Sequence, residues 1–466
     1  MSGKKSYQID MCHGPLFSQI FRFSLPVMGT TLMTLMFHAA DLIVLGQFAT
    51  GHTRTTATAA VGCTSALNVI LLLFFSGFSA GVNAVTARYI GAKDYKRVFH
   101  SVHSSIAFGI YGGLAVALIG VLFSRSVLHL MGTPADVLDK ATLYLQICSI
   151  GLPFLALYTI GAALLRSAGD TKRPLYYITI AGVVNVFLNI FFVVVCKMDA
   201  AGVALATKIS NVLSAALVIR ALCRFEQPLQ LNLKKLHIHW ETLKDILWIG
   251  IPAGIQSALY SVSNLFIQSS VNSLGSLAMA GNAATQSLEG MASIASGAYY
   301  QTAMSFTGQN LGGKKYKRII KSILICLLYA AAFAFILGGA FIIFGKPLLG
   351  LYNPDPDVIR IGLQRFVIMM GSFWLAAIMD AISGSLRGLG HSVAPTVTTI
   401  MGACVLRIGW ALIVFPQYRT MTSLMISYPI SWFLTGLING LILFFICRKM
   451  MRNAVGDKKY ILCPKA

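Results

Sequence analysis

Gly91-Ala92-Lys93-Asp94-Tyr95-Lys96-Arg97 is answered by Gly312-Gly313-Lys314-Lys315-Tyr316-Lys317-Arg318, 221 residues later (312 − 91). Two further pairs keep that offset. Ala162-Ala163-Leu164-Leu165-Arg166, running through Gly169 to Pro174, matches Ser383-Gly384-Ser385-Leu386-Arg387, running through Gly390 to Pro395. Asp136-Val137 matches Asp357-Val358. Three matches on one offset mark a duplicated domain, because a period this long is no solenoid repeat. Each basic copy follows one long apolar segment and precedes another, so it reads as a short loop at the end of a membrane helix.

Composition agrees. The 466 residues are 56% hydrophobic and 11% charged, with a mean hydropathy of +0.73, and a soluble chain could not cover its surface with so few charges. Apolar runs long enough to cross a ~30 Å hydrocarbon core recur from end to end. The net charge of +22 would suggest nucleic acid in a soluble protein. Here the basic residues sit in short loops, which suits an anionic cytoplasmic leaflet. The nine cysteines form no CxxC or Cys/His cluster, so neither a disulfide framework nor a metal site is expected. The first apolar run is long and holds Pro26, and it reads as a retained helix instead of a cleaved leader.

The fold expected is an all-α polytopic membrane protein of about twelve spans, in two six-helix bundles related by a parallel internal repeat. The spans fall near 15–47, 57–89, 96–122, 135–166, 173–195 and 200–224, then 242–274, 277–310, 317–345, 357–387, 394–415 and 421–450. Pro26, Pro153 and Pro252 are candidate kinks. The domains are an N-terminal lobe (1–224), a cytoplasmic connector (225–241) and a C-terminal lobe (242–466) with a basic tail. One set of loops collects most of the Lys and Arg, among them Lys93, Lys96, Arg97, Lys172, Arg173, Lys314, Lys315 and Arg318. The other set has about one per loop: Arg54, Arg125, Lys197, Lys346 and Arg419. Both termini are therefore expected in the cytoplasm. Parallel repeats about an axis along the membrane normal occur in secondary transporters that rock two lobes around a midplane site.

Polar groups inside such spans are costly and are functional candidates by default. Asp41 lies a few residues before the first span ends. Asn185 and Asn189 lie at i and i+4 on the fifth and point the same way. Asn189 is eight residues before Lys197, and Thr207 on the sixth span is eight after Asp199, each ~12 Å along the axis. Four oxygen-bearing side chains thus reach one level. A carboxylate with neutral oxygens suits a hard cation, and the carboxylate alone suffices for a proton. The amides could instead tie helices together, and Thr207 could bond back to its own helix. Lys208, next in sequence, either snorkels outward or neutralises Asp41.

In the second half, Glu289 and Arg407 lie at comparable depth, either as a buried ion pair or with Glu289 facing a cavity that attracts cations. Asp380 either pairs with Arg387 or serves transport. Met28, Met33, Met36 and Met304 are candidates for an adaptable lining, though membrane methionines are more often plain packing. Arg166 through Gly169 and Arg387 through Gly390 read as helix capping.

At these residues the chain resembles the multidrug and toxic compound extrusion (MATE) family. The resemblance is carried by Asp41 through Gly46, Ala87 through Tyr95, Asn185 through Asn189, Gly202 through Thr207, Gly308 through Gly312 and Leu386 through Gly390, and covers nearly the whole chain. It implies two six-helix bundles around a V-shaped cavity, and export of amphipathic cationic compounds in exchange for Na⁺ or H⁺. It also implies that the family's N-lobe cation site corresponds to Asp41, Asn185, Asn189 and Thr207. Some members carry a second carboxylate where this chain has Asn189. Better-known branches place acidic residues near Tyr260 and Ala376, which leaves Glu289 and Asp380 as the acidic site candidates of the second lobe.

The expected function is a cation-coupled antiporter working by alternating access, probed at Asp41, with Tyr260, Glu289, Asp380 and Arg407 as cavity candidates. The alternative is a flippase for a lipid-linked precursor, which would need several deep Arg or Lys. No HExxH, Walker A or nucleophile-elbow pattern suggests an enzyme. No cofactor is expected beyond the coupling ion. A monomer in the cell membrane is expected, with small amphipathic cations and lipids as partners.

Overall fold

The computed structural model describes residues 7–48, 64, 73, 75–131, 133, 135–352 and 354–461. Among these the regular elements are all helices, without strands. The first half runs α1 (Leu16–Phe48), α2 (described over 75–91), α3 (Tyr95–Leu130), α4 (Ala135–Ile150), α5 (Leu152–Ser167), α6 (Lys172–Ile190) and α7 (Asp199–Cys223). The second runs α8 (Trp240–Asn272), α9 (Ser276–Gly312), α10 (Tyr316–Ile343), the short α11 (Gly345–Gly350), α12 (Pro356–Gly388), α13 (Val393–Thr399), α14 (Leu406–Ile413) and α15 (Met421–Ile461). The start of the expected second span and the loop bearing Arg54 lie outside the described residues.

Nine of the described helices are long and apolar enough to cross a membrane, or ten if the pair α4 and α5, bent by 40° at its break, is one span. Gly151 sits at that break and Pro153 follows it, so one of the three candidate prolines marks an actual bend. α2 and α9 complete the twelve-span plan. α9 is less apolar because it buries Ala, Gly, Ser and Thr along its length, the residues that let membrane helices approach closely. Large apolar side chains stand outward instead, Phe187 (70% exposed) and Phe335 (69%) among them, as a lipid-facing surface requires.

The chain packs as two compact units. Unit 1 comprises Met1–Ile9, Gly29–Thr86 and Asp94–Gly250, and unit 2 comprises Asp10–Met28, Ala87–Lys93 and Ile251–Ala466.

The repeat is visible in the backbone itself. Lys93 and Lys314 are both left-handed, at φ 57° and 54°, and Gly169 and Gly390 share φ 88°. Both pairs are 221 residues apart. Asp170 N–H donates to Leu165 O, and His391 N–H to Leu386 O, each at 2.9 Å. These are matching Schellman caps, so the Arg–Gly motifs end helices in the expected way.

The segment ahead of each half also docks alike. In unit 2, Arg318 at the start of α10 donates to Met11 O (2.9 Å), Gly14 O (2.8 Å) and His13 O (2.9 Å). In unit 1, the connector is held on α3 by Asn232 N–H to His103 Nε2 (3.1 Å) and His239 N–H to Ser104 Oγ (2.9 Å).

Within unit 2 the ends of α2 and α9 cross at two equivalent glycines. A Cβ on Gly91 would lie 1.9 Å from Gln309 O, and one on Gly312 would lie 1.9 Å from Arg88 O. The contact is reciprocal, since Arg88 and Gln309 are themselves repeat partners. The stretch that reveals the duplication is thus also where its two copies pack together.

Candidate cation and substrate site

In unit 1, α1, α6 and α7 bring together the four oxygen-bearing side chains expected to meet. Asn189 Nδ2 donates to Asp41 Oδ1 at 2.5 Å and to Asn185 Oδ1 at 3.1 Å. Thr207 Oγ1 lies 3.1 Å from Asp41 Oδ2 and 2.9 Å from Val203 O. Its single proton is therefore shared between the carboxylate and its own helix. Asn185 Nδ2 reaches Thr207 Oγ1 at 3.4 Å. Thr207 thus bonds back to its own helix and reaches Asp41 as well, and the interhelical amide bonds are formed.

Three features set this cluster apart from ordinary helix glue. Asp41 makes no ion pair among the described residues: its hydrogen-bond donors are neutral, and His38, one turn earlier on α1 and in the same cavity wall, acts on it only through space. Asn189 is fully buried and both its N–H groups are used, while its carbonyl oxygen has no partner. α6 also changes directly after Asn189 into a π-helical turn, Phe191–Val195, an irregularity frequent at functional sites.

Asp41, Asn185 and Thr207 line a cavity of about 280 Å³ in unit 1, near the lower end for small-molecule sites. Its walls include Phe37, Tyr144 and Tyr158, aromatic groups that favour flat amphipathic molecules. Lys208 lines the same cavity but makes no ion pair with Asp41. No methionine is among the lining residues, so the methionine candidates are not brought to this site; Met304 is fully buried in packing.

The second-half candidates are arranged differently from the sequence reading. Glu289 does not pair with Arg407. It accepts two bonds from Arg365, Nε to Oε1 at 2.8 Å and Nη2 to Oε2 at 2.6 Å, and Arg365 also donates to Asn282. The reason is helix spacing. Gly281 and Gly362 bring α9 and α12 so close that a Cβ on Gly281 would be 2.9 Å from Gly362 N, which places Arg365 opposite Glu289. Arg407 is fully buried and lies instead among aromatic rings, 5.1 Å from the Tyr260 centroid, 4.1 Å from Tyr428 and 5.7 Å from Trp432. It donates to Ser431 Oγ (2.8 Å) and the Tyr260 hydroxyl (3.1 Å). Asp380 does not pair with Arg387 either. It accepts from Ser296, and Arg387 donates to Tyr300 and to Gln256 (2.7 Å).

Sequence reasoning passed over Arg365, although a guanidinium about nine residues into an apolar helix is the same signal that singled out Arg407. The cavity residues Tyr144 and Cys148 carried no such signal, because apolar and aromatic walls look like packing.

A family model described as MatE matches residues 26–191 and 252–413, one block in each half. The chain belongs to the MATE family. Among curated relatives, the probable multidrug resistance protein YoeA of Bacillus subtilis (strain 168) is 27% identical over 369 residues, covering 77% of this chain and 79% of that one. The multidrug export protein MepA of Staphylococcus aureus (strain MSSA476) is 25% identical over 399 residues, covering 84% and 86%. A solved MATE structure in complex with MaL6 superposes with a TM-score of 0.89 at 18% identity, covering 96% of this chain and all of that one. This MATE chain is thus a multi-pass membrane protein of a transporter family.

Proposed function

We propose that this protein is an antiporter that exports amphipathic cations in exchange for Na⁺ or H⁺. The observation that carries the reading is Asp41, a carboxylate held only by neutral donors in the wall of an apolar cavity. Ionising such a group without a counter-charge is expensive, so a proton, a hard cation or a cationic substrate each relieves the same cost. Ligands that compete for one charge cannot be bound together, and such exclusion is what exchange requires. The orphaned carbonyl of Asn189 beside the carboxylate supports a metal cation as well as a proton.

The two lobes, 1–224 and 242–466, act as the moving bodies, with the basic loops and both termini in the cytoplasm of a monomeric, cell-membrane protein. The names of YoeA and MepA support drug-like cargo. In the second lobe we assign Glu289 to a structural pair with Arg365 and keep Asp380, Tyr260 and Arg407 as cavity candidates. The pairing of Arg365 also disfavours the flippase reading, since it removes a cation that an anionic headgroup would need.

The test is dye export from proteoliposomes with Na⁺ and pH gradients imposed separately. The wild type should respond to at least one gradient and Asp41→Asn to neither. Gradient-coupled export by Asp41→Asn at the wild-type rate would sink the proposal.

A further inference from the structure

The cavity around Asp41 holds a second charge that the antiport reading leaves unused. Lys208 follows Thr207 on α7, lines the same cavity and is half-buried, yet no hydrogen bond or ion pair joins it to any described residue. Asp41 is engaged instead by Asn189 and by Thr207. A lysine set in such a wall would ordinarily escape to solvent or close on the nearest carboxylate.

The fold holds its stem in place. Gly151, at the break between α4 and α5, lies under the Lys208 chain so closely that a Cβ there would come within 2.1 Å of Lys208 Cδ and 2.6 Å of Cγ. The break therefore does two things. It bends the span by 40°, and its missing side chain leaves the track along which the lysine stem lies. The cavity wall thus carries an aspartate and a lysine that form no ion pair with each other, together with Tyr144, Tyr158 and Phe37.

We infer that Lys208 is an anion subsite, and that the cavity is built for dipolar cargo: a flat amphipathic molecule with its cationic end at Asp41 and a carboxylate or similar acidic group at Lys208. The inference rests on the proposed role of this cavity but goes beyond it, because a site for simple cations would be better without the lysine. Lys208 repels a monocation and pairs with the acidic end of a zwitterion. It acts as a selectivity residue, with Gly151 setting its position.

A matched pair of fluorescent dyes tests this. Rhodamine 123 is a monocation, and rhodamine 110 is the same ring system with a free carboxylate in place of the methyl ester. Binding to the purified full-length protein in nanodiscs is read by fluorescence anisotropy. The wild type should bind rhodamine 110 more tightly than rhodamine 123. Lys208→Met should weaken rhodamine 110 by about tenfold and leave rhodamine 123 unchanged or tighter. Lys208→Arg should restore the order, and Gly151→Ala, which keeps the charge but displaces its stem, should weaken rhodamine 110 more than rhodamine 123. Equal loss of both dyes in Lys208→Met, no loss of either, or no wild-type preference for the acid would each overturn the inference. Vesicle export of the same dyes separates the two levels. Selective binding without gradient-driven export would remove the antiport reading and leave the dipolar site standing.

Discussion

The cluster at Asp41 and the cluster at Glu289 start from the same problem, a carboxylate in an apolar helix, and resolve it in opposite ways. Glu289 is matched by the forked guanidinium of Arg365, 2% exposed, and the pair is further bonded through Asn282. Asp41 has only an amide and a hydroxyl, and it faces a cavity. A neutralised pair locks two helices. A charge left without its counterpart can be answered by something that comes and goes. The duplication copied the scaffold but not this chemistry.

The largest effect that bears on this contrast is expected at Arg365. Arg365→Ala leaves Glu289 nearly buried without its partner and should lower stability by about 3–5 kcal/mol, read as a fall in thermal unfolding temperature of the purified protein. A loss under about 1 kcal/mol would show that the pair is not the lock described here.

The repeated scaffold comes next. Gly91→Ala and Gly312→Ala each press a methyl into a backbone carbonyl of the other copy and should destabilise by about 1–3 kcal/mol. The two losses should be alike, and a marked inequality would break the reciprocity of the crossing. At the caps the copies part. Gly169 and Gly390 share φ 88°, so alanine costs each about 1 kcal/mol of backbone strain. A methyl on Gly169 would also meet Ile9 O at 2.3 Å, whereas on Gly390 its nearest contact is Arg88 Nη1 at 3.4 Å. Gly169→Ala should therefore be the more damaging in the same unfolding assay.

The smallest stability effect is expected where the functional effect is greatest. Asp41→Asn removes an uncompensated charge while keeping the side chain's shape, so the unfolding temperature should hold or rise, within about 1 kcal/mol. A large destabilisation there would place Asp41 with Glu289, as a structural group.

Much of this was legible from the sequence because membranes make the rules strict. Apolar runs must be helices, loop charge biases orientation, and a polar group in a span stands out against a uniform background. Asp41, Asn185, Asn189 and Thr207 could be gathered by counting residues from the ends of straight helices that share a level. The same counting failed at Glu289. Arg407 lies at a suitable depth, but depth does not say which neighbouring helix faces it.

By itself, then, the sequence determined the span plan, the 221-residue repeat and the level of the first-half cluster, since each depends on distance along one chain. Tertiary structure alone decided that Arg365 and not Arg407 answers Glu289, that Arg407 sits among tyrosine and tryptophan rings, and that Lys208 stays apart from Asp41. Those outcomes depend on which helix faces meet, and glycine contacts such as Gly281 with Gly362 and Gly151 with Lys208 set that across segments far apart in the chain.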